Sequence, residues 1–121
     1  MYNIILDTNF LLIIPQFKID IFRELERICN FRYNLSILDK TLDELKGKKY
    51  EKLVKEIIKR KKISIIKTNS GGYVDNILKN INDKNVIIAT NDKELKKQLK
   101  TPLIILKQKK YLQLINFNEN I

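Results

Sequence analysis

Short, almost wholly apolar runs recur along this chain and alternate with stretches whose apolar residues fall at helical spacing. That alternation constrains the fold more than any other feature. Residues 2–6, 34–38, 63–67, 86–89 and 103–106 read as strands. Several are apolar at successive positions rather than at every second one, as strands covered on both faces are. Between them, residues 19–29 set Ile21, Phe22, Leu25, Ile28 and Cys29 on one side of a helix, and residues 39–46 turn Leu42 and Leu45 inward. Residues 50–61 gather Leu53, Val54, Ile57 and Ile58 on one face. After a turn at Gly71-Gly72, Val74, Ile77, Leu78 and Ile81 give the next helix its buried stripe, and residues 91–100 form another with Leu95 and Leu99 inward. Pro15 closes the segment at 10–14. The tail from Lys107 is basic and then polar, with Tyr111, Leu112, Leu114, Ile115 and Phe117 able to pack or pair. Strands alternating with helices predict an α/β sandwich on a mainly parallel sheet. A chain of 121 residues makes one domain, 1–121, and can bury a modest core without disulfides or a structural metal.

Charge and absent residue types narrow the chemistry. The formal charge is +10, from 24 basic and 14 acidic residues, which on so small a chain points to an anionic partner, nucleic acid foremost. A lysine-rich solvated surface is the plainer reading of the same number. The chain has no histidine, which excludes Ser-His-Asp catalysis and histidine-ligated metals. Its one cysteine, Cys29, cannot make a thiolate zinc site or an intrachain disulfide; it reads as a small buried apolar residue, and a reducing, cytoplasmic setting is expected. No phosphate-cradling GxxxxGK[ST] loop and no GxGxxG turn occurs. Asp7 interrupts the apolar start, so no signal peptide is read there, and no apolar run is long enough to span a membrane.

Carboxylates follow the strands. Asp7 comes directly after the first, and Asp92 comes within Thr90-Asn91-Asp92 after the run at 86–89. In a parallel α/β sheet that edge is where ligands bind. Taken singly, either aspartate would cap a helix or complement its dipole. Glu44, between Leu42 and Leu45, and Asp75, in the first turn of its helix, would reach the same edge; alone they are a surface glutamate and a second dipole complement. Together, converging carboxylates repel one another unless a cation sits between them. An oxygen-only donor set favours Mg²⁺ or Mn²⁺. Such an ion suits phosphodiester cleavage in a basic protein, because it polarises a phosphoryl oxygen and acidifies a water for attack.

The stretches Ile5-Leu6-Asp7-Thr8-Asn9-Phe10-Leu11-Leu12, Leu42-Asp43-Glu44-Leu45, Tyr73-Val74-Asp75-Asn76-Ile77-Leu78 and Ile88-Ala89-Thr90-Asn91-Asp92-Lys93-Glu94-Leu95 resemble the PIN domains, in that family's order and over nearly the whole chain. The resemblance implies a three-layer α/β/α sandwich with about five strands, and a Mg²⁺- or Mn²⁺-dependent endoribonuclease. By it, the family's four acidic positions fall on Asp7, Glu44, Asp75 and Asp92, as catalytic and metal-holding residues. Thr8, Asn9, Thr90 and Asn91 fall where the family orients its carboxylates or a coordinated water. Asn76 stands where similar relatives carry a second acid; an amide can ligate through oxygen but brings no charge, so a second ion would be held less tightly. The Asp-Thr-Asn-Phe-Leu-Leu start and the Lys-Gln-Lys-Lys tail look most like archaeal relatives of the ribosomal-RNA processing nuclease of the small-subunit processome. Toxin nucleases of toxin–antitoxin pairs, and a PIN fold that holds RNA while cutting weakly, are the competing expectations.

Two lysine stripes lie opposite buried helix faces: Lys52, Lys55, Lys59 and Lys62, and then Lys93, Lys96, Lys97 and Lys100. The second begins one residue after Asp92, which makes it the candidate RNA-binding face. Lys107, Lys109 and Lys110 extend the charge. Contacts of this kind grip phosphates without reading bases. A homodimer, a ribosome-assembly partner and an antitoxin are the protein partners the resemblance leaves open.

Overall fold

A computed structural model describes residues 1–68 and 73–117. The chain runs β1 (Tyr2–Leu6), α1 (Thr8–Leu11), α2 (Ile13–Phe17), α3 (Ile21–Ile28), β2 (Tyr33–Leu38), α4 (Asp39–Leu45), α5 (Glu51–Arg60), β3 (Ser64–Ile66), α6 (Val74–Lys79), β4 (Val86–Ala89), α7 (Lys93–Gln98), β5 (Leu103–Lys107) and β6 (Tyr111–Ile115). The Gly71-Gly72 turn read from the sequence lies outside the described residues.

The strands form one six-stranded sheet in the order β3-β2-β1-β4-β5-β6. The five from β3 to β5 are parallel, and β6 is antiparallel to β5. From β1 the chain winds outward through β2 to β3; it then returns to β4 on the other side of β1 and winds outward to β5. The strand order therefore reverses between β1 and β4, the point beyond whose strand ends parallel α/β sheets bind their ligands. Alternate residues of β1 serve opposite faces, as the pleat requires. Ile4 and Leu6 join a core with Phe10, Ile21, Leu25 and Val54 from the helices before β3. Ile5 joins a smaller core with Val74, Leu78 and Leu95 from α6 and α7. The result is a three-layer α/β/α sandwich.

Several elements depart from the sequence reading, each for a local reason. Pro15 does not close its segment: α2 runs through it to Phe17. As the third residue of α2 it sits where the helix leaves an N–H unpaired in any case, so the missing donor costs little. Leu53 is 48% exposed, whereas Val54 and Ile58 form the buried stripe of α5, with one side of a short helix enough to cover the sheet. The last helix starts at Lys93 and not at residue 91, because Asp92 is extended and caps it.

Periodicity alone does not mark the sixth strand. Only Leu112 in it is fully buried, a weak pattern for an edge. Its backbone is tied to α3 by side chains: Arg27 Nη2 donates to the Leu112 carbonyl at 3.0 Å, and the Leu112 N–H donates to Glu24 Oε1 at 2.9 Å. The turn between β5 and β6 holds Gln108 and Lys109 at φ 53° and 54°. The Lys110 N–H donates to the Lys107 carbonyl across it at 2.9 Å.

Candidate active site

At this reversal, β1 ends with the Asp7 N–H donating to the Ala89 carbonyl of β4 at 2.9 Å. Rigid strands on both sides fix the backbone there. The Asp7 side chain is 3% exposed, and its oxygens are both occupied: Oδ1 accepts from the Thr8 N–H and Oδ2 from Thr90 Oγ1, each at 2.8 Å. Thr90, buried just beyond β4, in turn accepts from the Asp92 N–H at 3.2 Å. Asp92 caps α7, with Oδ1 accepting from the Glu94 and Leu95 amides at 3.0 and 3.1 Å. On the other side Thr8 Oγ1 donates to Glu44 Oε1 at 2.7 Å, and Glu44 Oε2 accepts from the Val74 N–H at 3.3 Å. Glu44 thereby bridges α1 to the start of α6, where Asp75 follows Val74. Hydrogen bonds thus run from Asp7 through Thr90 to Asp92, and from Thr8 through Glu44 to the residue before Asp75.

Burial pushes the Asp7 carboxyl from an ordinary 3.8 up to about 6; the hydrogen bonds from Thr90 and Thr8 oppose the rise, and the charges of Asp75 and Glu44 add to it. Asp75 is also raised, by burial first and then by the charges of Asp92 and Glu44, with Lys79 pulling the other way. The four acids therefore share one electrostatic field although they come from four separate segments. Like charges held in common repel one another, and a cation placed between them would relieve that repulsion.

The donor set is entirely oxygen, which suits a hard divalent ion such as Mg²⁺ or Mn²⁺. Among the described residues, no three acidic side chains stand close enough together to form a ready-made cage. The hydrogen bonds supply a reason: both oxygens of Glu44 and one of Asp92 are drawn toward backbone amides and a hydroxyl rather than toward each other. The residues fit such an ion by chemistry and charge, and a small turn of Glu44 or Asp92 would release oxygens toward it.

The remaining sequence candidates divide. Thr8 and Thr90 each orient a carboxylate. Asn91 turns its Oδ1 to the Leu106 N–H, which donates to it at 2.8 Å and ties the loop to β5. Asn9 and Asn76 are exposed, and among the described residues neither side chain bonds an acid. Lys93 and Lys97 are exposed on α7 and Lys100 is exposed just beyond it, while Lys96 is half-buried and Lys97 lies 3.7 Å from Glu94. Two further residues carry no clear mark in the sequence. Lys40 and Tyr73 line a hollow of about 370 Å³ together with Asp43 and Glu44, and Tyr73 is 76% exposed. Tyr73's place just before the Val-Asp pair is the only hint. The other lysine stripe rims an apolar cavity of about 650 Å³ lined by Ile58, Ile63 and Ile65, away from the acids.

Comparison with known proteins agrees with this geometry. Residues 4–109 match the family described as "PIN like domain". Ribonuclease VapC4 of Methanocaldococcus jannaschii is 34% identical, over 94% of this chain and 97% of that protein. The solved structure of the PIN domain endonuclease Utp24 superimposes with a TM-score of 0.80 at 26% identity, covering 99% of this chain and 96% of that one. The chain belongs to the PIN-like domain family, within the PIN-fold nucleases. Among the described residues, no helix is long and apolar enough to cross a membrane.

Proposed function

We propose that this protein is an endoribonuclease that hydrolyses RNA phosphodiester bonds with Mg²⁺ or Mn²⁺ held by Asp7, Glu44, Asp75 and Asp92. The observation that carries the reading is the buried Asp7 at the strand-order reversal, electrostatically joined to Glu44 and Asp75. Likeness to a ribonuclease and to a PIN domain endonuclease supports it. When bound, the divalent ion supplies charge neutralisation for the phosphoryl group and acidifies a water.

The chain's own residues do the rest. Thr90 holds Asp7 in a fixed rotamer, so little reorganisation precedes binding at that acid, while Glu44 turns from Thr8 and the Val74 amide to join it. The lysines of α7 keep the RNA backbone beside a site that would otherwise repel it.

A second reading has an observation of its own. The spread of the carboxylates, with the neutral Asn76 beside Asp75, favours a PIN fold that grips RNA and cuts weakly until a partner or the substrate draws the acids together. In the cell either reading serves ribosomal-RNA processing, or a toxin restrained by an antitoxin; growth arrest on expression would mark the toxin. The test of the main reading is cleavage of labelled single-stranded RNA with Mn²⁺, with Mg²⁺ and with EDTA. Internal cuts that need the ion and disappear in Asp92→Ala support the nuclease. RNA binding without ion-dependent cuts supports the module.

A further inference from the structure

The turn between β5 and β6 has a geometry that the acidic site leaves unexplained. Strand register places Leu6, Ala89 and Ile104 at one level of the sheet. Asp7 and Thr90 stand one residue above it. β5 continues three residues beyond that level, to Lys107, so its turn overhangs the acidic edge by two residues, about 7 Å at the usual strand rise. The extension is anchored at its base, where the Leu106 N–H donates to Asn91 Oδ1 at 2.8 Å in the loop that carries Asp92.

The turn itself is built against local preference. Gln108 and Lys109 are both left-handed, a conformation that two-residue turns usually give to Asn and Gly. Holding non-glycine residues there costs about 1 kcal/mol or more each, and such strain collects at functional sites. What the turn presents is positive charge and ring faces. Lys107, Lys109, Lys110 and Tyr111 are all exposed, and Lys109 Nζ lies 5.7 Å from the ring centre of the part-exposed Phe17. The sequence has no acidic residue between Glu94 and Glu119, and among the described residues none of the three lysines forms an ion pair.

We propose that this turn is an RNA arm: Lys107, Lys109 and Lys110 hold phosphates of a single strand as it leaves the acidic edge, and Phe17 and Tyr111 offer faces on which bases stack. The inference rests on the RNA-nuclease reading. A polyanion cannot settle in a field of four carboxylates unless cationic groups hold it close by, and lysines interleaved with aromatic rings are the chemistry of single-strand binding. A membrane surface would take lysines and rings alike, but it gives no reason for them to stand beside a carboxylate site.

The experiment measures binding of a fluorescein-labelled oligouridylate by anisotropy, across a salt series in EDTA so that no cutting occurs. The K107A/K109A/K110A variant should bind at least about tenfold more weakly at low salt. Its salt dependence should flatten by about 2 in log–log slope, near 0.7 for each phosphate that a lysine no longer neutralises on a single strand. Gln108→Asn keeps the charges and suits the turn, so it should bind like the wild type; this separates the removal of charge from damage to the hairpin. Should the triple variant fail to fold, Lys109→Ala alone should lower the slope by about 0.7. Wild-type binding with unchanged slopes in the lysine variants overturns the arm and leaves the nuclease reading standing. A wild type that does not bind the oligonucleotide at all ends both.

Discussion

Replacing Asp7 with asparagine should make the ion-free protein more stable at neutral pH while abolishing its cleavage of RNA. Burial lifts the folded pKa from 3.8 to about 6, so keeping this carboxylate ionised inside the fold costs about 3 kcal/mol. The pH window follows from the sign of that shift. Below 3.8 the group is protonated in both the folded and unfolded chains and the penalty is absent; from 3.8 to about 6 the fold retains a proton that the unfolded chain releases, so stability falls as pH rises; above about 6 the whole penalty applies. Asparagine removes the charge and keeps an oxygen for the Thr8 N–H, but its amide cannot accept from Thr90 Oγ1. That loss costs about 1 kcal/mol. The net gain at neutral pH is about 1–2 kcal/mol, or roughly 5–10 °C in Tm for a chain of this size. Thermal melts of both proteins in EDTA, from acid to neutral pH, give the difference directly. The gain should vanish, or reverse, in acid. Millimolar Mn²⁺ should stabilise the wild type more than the variant, because a ligand stabilises only as far as it binds the folded state. A Tm difference that is flat across the acid-to-neutral range would refute burial as the cause of the shift. A variant that cuts RNA as well as the wild type would remove Asp7 from the site.

Other consequences are open to equally direct measurement. Thr8→Val removes the donor that holds Glu44, and chemical denaturation should show a loss of about 1 kcal/mol together with a fall in cleavage rate. Asp92→Ala removes the cap of α7, so it should lower stability by about 1 kcal/mol as well as stop cleavage, and the two effects are read separately by melting and by assay. Alanine at Lys96, Lys97 and Lys100 should weaken RNA binding and lower its salt slope; an unchanged slope would make that stripe a solvated face. Leu53→Lys, on the exposed side of α5, should shift stability by less than about 0.5 kcal/mol, whereas Leu25→Ala in the core should cost about 3 kcal/mol, both read from urea midpoints.

The parallel strands announce themselves in the sequence because a strand covered on both faces must be apolar at successive positions, and 86–89 is so throughout. Asp7 and Asp92 stand out by the same logic, since the end of such a strand is where a polar group first meets solvent. The sixth strand lacks that mark: half-covered edges need only one buried residue in two, and its pairing comes from a turn without glycine. Leu53 reads as buried in the sequence because periodicity locates an apolar face but not its width. Asn91, which by resemblance would orient a carboxylate or a coordinated water, braces β5 through a long-range bond that no local spacing encodes. The separation of the four acids likewise depends on which amides compete for their oxygens, a matter of tertiary geometry.

The clasp that Glu24 and Arg27 place on Leu112 also bears on how this protein meets its own copies. An outermost strand normally leaves a row of unsatisfied amides and carbonyls, the template on which sheets stack into aggregates. Here a helix supplies, from two side chains, the donor and acceptor that a neighbouring strand would bring, so β6 is already paired at its second residue. At the far border, β3 is three residues long, too short to recruit a partner strand. Among the described residues, a second molecule therefore finds only short stretches of edge backbone to extend. Freeing the clasp with Glu24→Ala would expose the Leu112 N–H and raise the tendency to form fibrous aggregates on warming, with the acidic edge untouched.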